Sequence, residues 1–142
     1  MIIKQFEDFI KEGIVKQQAP DIPRARFLKT DSEKAYAFLC ETTSLFEATA
    51  ENANTLIKNC YDIIMGLVRA KMALKGLHAS GQGAHEAEVA YLRVLNHKEA
   101  DVQFIDQLRY FRNGIMYYGK QFDKEYAKKV IDFTKSIYKK LE

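Results

Sequence analysis

The chain has no tryptophan, only two prolines and only two cysteines in 142 residues, and each scarcity closes off a class of structure. Cys40 and Cys60 form no C-x-x-C pair of the redox or zinc type. They sit in different helical segments among apolar neighbours and are expected to be buried thiols. Confining proline to positions 20 and 23 leaves the rest of the chain free to be helical. No apolar run approaches the roughly 20 residues that a membrane-spanning helix needs. The opening Ile2-Ile3-Lys4-Gln5-Phe6 lacks the basic start, long apolar run and small-residue cleavage site of a secretory signal, so a cytoplasmic location is expected. His78, His85 and His97 share no convincing metal spacing with a cysteine or an acid. Neither a metal nor another cofactor is expected.

What is present is helical periodicity almost throughout. Hydrophobic content of 47% beside 29% charged residues excludes disorder, and 142 residues make one domain able to bury a sizeable core. A short helix over residues 2–11 places Ile3, Phe6 and Ile10 on one side and stops at Gly13; Pro20 and Pro23 then impose a loop. Residues 1–23 are thus a short N-terminal helix and loop, and 24–142 a bundle. A long helix over 24–49 presents Leu28, Ala35, Phe38, Leu39, Thr42 and Phe46 as its buried stripe, with Asp31-Ser32 able to interrupt its start. A second begins at Asn52 or Asn54, carries Leu56, Ile57, Cys60, Ile63, Ile64, Leu67, Val68 and Leu74, and ends at Gly76. After a flexible connection over 79–83 come helices over 85–95, 99–118 and 123–141. The last buries Tyr126, Ala127, Val130, Ile131, Thr134, Ile137, Tyr138 and Leu141. Short loops between helices that each have one apolar stripe predict an all-α, up-and-down antiparallel bundle of four to five main helices.

The segment most suggestive of chemistry is Arg112-Asn113-Gly114-Ile115-Met116-Tyr117-Tyr118-Gly119. Phe104, Ile105, Leu108, Phe111, Ile115 and Tyr118 recur at spacings of three and four and predict one apolar stripe. Arg109, Arg112, Asn113, Met116, Tyr117 and Lys120 form a second, mostly polar one. Two guanidiniums and an amide on one helical face are suited to phosphate or carboxylate. Asn113-Gly114 within a helix is locally unfavourable, Gly114 by about 1 kcal/mol relative to alanine, which close approach of a helix or ligand would offset. The ordinary alternative is an arginine serving the helix dipole, with Gly119 as a plain stop.

Charge is uneven along the chain. From residue 107 onward nine Lys/Arg face four acids, a net +5, against −2 in the first 106 residues. This suits a polyanionic partner, although Lys124, Lys128, Lys135 and Lys139 are read as a solvated helix face. The 79–83 stretch is not a phosphate loop, since no Lys-Ser/Thr follows its second glycine and no strand is expected before it.

Taken together, Tyr61-Asp62, residues 70–74, Lys75-Gly76, the glycine-containing turn with His85 and the run from Arg109 through Arg112-Asn113 to Gly119 resemble the HEPN superfamily. Phe9-Ile10-Lys11-Glu12-Gly13 followed by Pro20-Asp21 is similar to the start of stand-alone prokaryotic, archaeal-type HEPN proteins. The resemblance covers essentially the whole chain, and the Arg-Asn pair is its most specific element. It implies a helical bundle that dimerises around a shared Arg-Asn cleft. It also implies one of two activities: metal-independent endoribonuclease, often a toxin paired with a minimal nucleotidyltransferase, or the substrate-binding or regulatory half of such a pair. Nuclease members carry arginine, a polar residue, three further residues and then histidine; that alignment puts Tyr117 at the histidine position. A phenol titrating at about 10 is only about one-thousandth ionised at neutral pH, whereas an imidazole at about 6.5 moves protons readily. The resemblance therefore favours a non-catalytic module with Arg109, Arg112, Asn113 and Lys120 binding nucleotide or RNA. The alternative is a ribonuclease using Arg112 and Asn113 with Tyr117 or a displaced histidine. Tyr118, on the apolar stripe, is expected to pack.

Overall fold

Proline placement decides where the first long helix begins. Asp21 caps it, Oδ1 accepting the Arg24 N–H at 3.1 Å. Pro23 follows inside the first turn, where its missing N–H leaves nothing unsatisfied. The helix therefore runs Ile22–Leu45 rather than over 24–49, and Asp31-Ser32 does not interrupt it. Only Pro20 belongs to the loop.

The computed structural model describes residues 2–142. It comprises α1 (Phe6–Lys11), β1 (Val15–Gln17), α2 (Ile22–Leu45), α3 (Ala53–Leu74), β2 (Leu77–Ala79), α4 (Ala84–Val94), α5 (Glu99–Tyr118) and α6 (Lys124–Leu141). The class is all-α, with α3 at the centre packed against α2, α4, α5 and α6. Its Ile57, Cys60, Ile63, Ile64, Leu67 and Val68 are all buried, as a helix surrounded by others requires. Directions follow from contacts. Asp21 N–H donates to Ala73 O near one end of the α2–α3 pair, while Ala35 and Leu39 share a cleft with Asn59 and Asp62 toward the other. The two helices are thus antiparallel. Phe104 packs at a tilt against Phe133 and Phe111 meets Tyr126 edge-to-face, so α5 and α6 are antiparallel as well.

The phase of α2 departs from expectation. Its buried residues are Ala25, Ser32 and Leu39, spaced seven apart, while Phe38 and Phe46 are 64% and 66% exposed. The cause is a close approach: a Cβ on Gly66 would overlap the Ser32 hydroxyl. Small residues at the seam bring the backbones together and turn the large apolar side chains outward. Of the remaining expected stripe, Leu28 and Thr42 are half-buried and Ala35 is exposed. Cys60 is buried but Cys40 only half-buried, and Leu74 at the end of α3 is exposed.

A two-stranded ribbon, which the helical periodicity does not predict, joins the segments after α1 and α3. Strands β1 and β2 pair antiparallel with Val15 opposite Ala79, Lys16 opposite His78 and Gln17 opposite Leu77. Gly76 makes this possible, since its φ is +71° and a Cβ there would overlap the Gln18 carbonyl. The Gln18 N–H donates to Gly76 O at 2.7 Å. Helix α1 starts at Phe6 rather than residue 2. The segment before it is held by Arg93, whose Nη1 donates to Lys4 O at 2.7 Å and Nη2 to Ile3 O at 3.1 Å.

Helix α6 follows its predicted stripe except at its start: Ala127, Val130, Ile131, Thr134, Ile137, Tyr138 and Leu141 are buried, while Tyr126 in the first turn is half-buried. Each large aliphatic among them contributes about 1.5–3 kcal/mol by leaving water. Asp123 caps the helix, accepting the Tyr126 N–H at 2.8 Å. The preceding loop is fixed by Asn54, which accepts the Phe122 N–H at 2.9 Å and donates to Lys120 O at 2.8 Å.

Candidate functional site

Helix α5 brings its candidate residues to two different sides. Ile105 and Leu108 are buried, and Arg112 stands seven residues, about two turns, beyond Ile105, so it faces α3 with the core stripe. Its guanidinium lies 5.8 Å from the Tyr61 ring centre, and Nη2 reaches Asp62 Oδ1 at 3.5 Å. The Nε of Arg112 is buried with no hydrogen-bond partner among the described residues. Arg109 is committed within its own helix, Nε donating to Asp106 Oδ1 at 2.9 Å, with both side chains mostly buried.

Tyr61 is 3% exposed and its hydroxyl has no hydrogen-bond partner among the described residues. Burial pushes this phenol far above its ordinary range, and nearby Arg69, Arg109 and Arg112 offset only part of that. Burial thus favours the neutral phenol.

Asn113, Tyr117 and Lys120 line a different feature, a surface cavity of about 450 Å³ completed by Tyr110, Phe111, Gly114, Tyr118 and Phe122. Tyr117 is 72% exposed and Tyr118 85%, so Tyr118 does not pack in the core as its stripe suggested. The reason is position: Tyr118 is the last residue of α5, beyond the part that meets α3 and α6. Gly119 ends the helix in the left-handed region, and the N–H groups of Gly119 and Lys120 donate to Gly114 O. That fold-back places Lys120 beside Gly114. A Cβ on Gly114 would meet only the Lys120 Cβ, at 3.6 Å, so no close approach within the chain explains this glycine. Tyr110 belonged to neither predicted stripe, although it stands seven residues before Tyr117 and so on the same side.

The structure therefore unites Asn113, Tyr117 and Lys120 and leaves Arg109 and Arg112 outside their cavity. Around the helix, Tyr117 stands about 140° from Arg112. None of the three histidines lines the cavity. His85 Nδ1 is 3.2 Å from Glu88 Oε1 on α4, His78 is on β2, and burial lowers the pKa of His97 between α4 and α5. Among the described residues no group of three or more His, Cys, Asp or Glu is placed to hold a metal ion. No described helix is long and apolar enough to cross a membrane.

No family model, curated protein or solved structure matches this chain.

Proposed function

We propose that this chain is a nucleotide- or RNA-binding module of the HEPN kind, a cytoplasmic homodimer that works beside a minimal nucleotidyltransferase and holds its ligand without cleaving it. The observation that carries the reading is the grouping of Tyr110, Tyr117 and Tyr118 with Asn113 and Lys120 around one cavity. Exposed phenol rings stack on bases whatever their sequence, an amide reads a base edge, and an ammonium meets phosphate. The basic balance from residue 107 onward favours such a partner.

Absence of cleavage is supported by the division of α5. Metal-free cleavage needs a proton carrier and a cation at the same phosphate. Within one chain Arg112 faces Asp62 while Tyr117 opens onto the cavity. The test is incubation of the protein with labelled single-stranded RNA and tRNA in EDTA. Retention of intact RNA supports the reading. Cleavage lost in both Arg112→Ala and Tyr117→Phe would replace it with a ribonuclease, and neither retention nor cleavage would leave a protein-binding role.

A further inference from the structure

A second polar cavity lies away from α5, where the start of α2, the end of α3, β2 and α4 meet. Its volume is about 90 Å³, room for about three waters or one compact oxyanion. Arg24, Arg69 and His78 stand on its wall together with two carboxylates, Asp21 and Glu88. Both carboxylates are engaged. Asp21 accepts the α2 cap bond from the Arg24 N–H, while buried Glu88 takes Arg69 Nε at 2.9 Å and His85 at 3.2 Å.

That arrangement orients Arg69. Its Nε is fixed by Glu88, and its terminal nitrogens make no hydrogen bond among the described residues. A guanidinium held by one edge presents the rest of its fork ready to grip two oxygens of an anion, with little rotamer freedom left to lose. The Arg24 side chain is exposed at the same cavity, and Lys16 stands directly across the ribbon from His78, on the same ribbon face. Donors thus converge from α2, α3 and the ribbon on a space too small for a nucleoside.

We infer that this cavity is a phosphate site, in which Arg69 supplies a bidentate grip and Arg24 and His78 close on the remaining oxygens. The ligand is inorganic phosphate or the terminal group of a phosphate monoester. The site is independent of the nucleotide or RNA reading of α5.

The test is calorimetric titration at low ionic strength with inorganic phosphate and, separately, with AMP. The variants are Arg24→Ala, Arg69→Lys and, as a control on the other cavity, Lys120→Ala. Arg24→Ala removes an exposed side chain, and Arg69→Lys keeps a cation for Glu88 while deleting the fork, so both variants are expected to fold; thermal melts verify this. The expected result is one saturable phosphate site, weakened at least about tenfold by either arginine change and unaltered by Lys120→Ala. Binding of AMP with the same arginine dependence identifies the ligand as a monoester; binding of phosphate alone identifies the free anion. No saturable phosphate or AMP binding, or binding indifferent to both arginine changes, would overturn the assignment.

Discussion

Arg112 on α5 and Asp62 on α3 approach to 3.5 Å across the face of Tyr61, joining the two helices at the point where the sequence places its most distinctive motif. The Asp62 side chain is 56% exposed and the contact is long. Such a pair contributes little, at most about 1 kcal/mol. Asp62→Asn is therefore expected to shift the urea midpoint only slightly. Arg112→Ala is expected to cost somewhat more, since it also removes the stem packed over Tyr61.

Gly114 provides a sharper probe of α5. The structure has room for a methyl group there, and alanine is about 1 kcal/mol more favourable than glycine inside a helix. Gly114→Ala should raise the stability of the isolated chain by up to that amount in a denaturant titration. If a second copy packs closely on this face, the same change will weaken self-association, read as a rise in the dimer dissociation constant by sedimentation.

Asn54 ties the loop after α5 to the start of α3 through two bonds, to the Phe122 N–H and the Lys120 carbonyl. Asn54→Ala leaves both backbone groups to find water, and each lost bond costs about 0.5–1.5 kcal/mol. The melt should fall accordingly. Faster amide exchange confined to residues 119–123 would locate the effect beside the tyrosine cavity.

Acid sensitivity is expected from Glu99. Hydrogen bonds from Arg93 and then Gln103 hold its carboxyl down at about 2, against an ordinary value of about 4.5. The folded value is the lower one, so this stabilisation is complete above about pH 4.5 and is lost as pH falls toward 2. Melting temperature should drop more steeply over that interval in the wild type than in Glu99→Gln. Because Arg93 also holds the Ile3 and Lys4 carbonyls, the N-terminal segment should loosen first.

Much of the fold was readable because the patterns are long. Helices α5 and α6 span nearly the expected residues, and seven of the eight positions expected in the α6 stripe are buried, Tyr126 being half-buried, since so many positions at helical spacing leave little choice of phase. Helix α2 departs from its hydrophobic pattern because its phase is set by the Ser32–Gly66 contact, a close approach of small residues that hydrophobicity does not signal. The ribbon escaped because three-residue strands carry no period. At the site, Asn113 and Tyr117 share a cavity as their spacing of four suggests, whereas Lys120 joins them through the fold-back at Gly119 and Met116 does not line it. Offsets of three and four put Arg109 and Arg112 in the same stripe, yet Arg112 also falls in line with buried Ile105 and is drawn to Tyr61 and Asp62.

The most direct test of the tyrosine cavity is a fluorescence anisotropy titration of short labelled single-stranded RNA with the wild type, Tyr117→Ala and Asp62→Asn. One lost base stack is worth about 1–3 kcal/mol. The account predicts an affinity loss of about tenfold in Tyr117→Ala and no appreciable change in Asp62→Asn. Equal affinity for the wild type and Tyr117→Ala would contradict it.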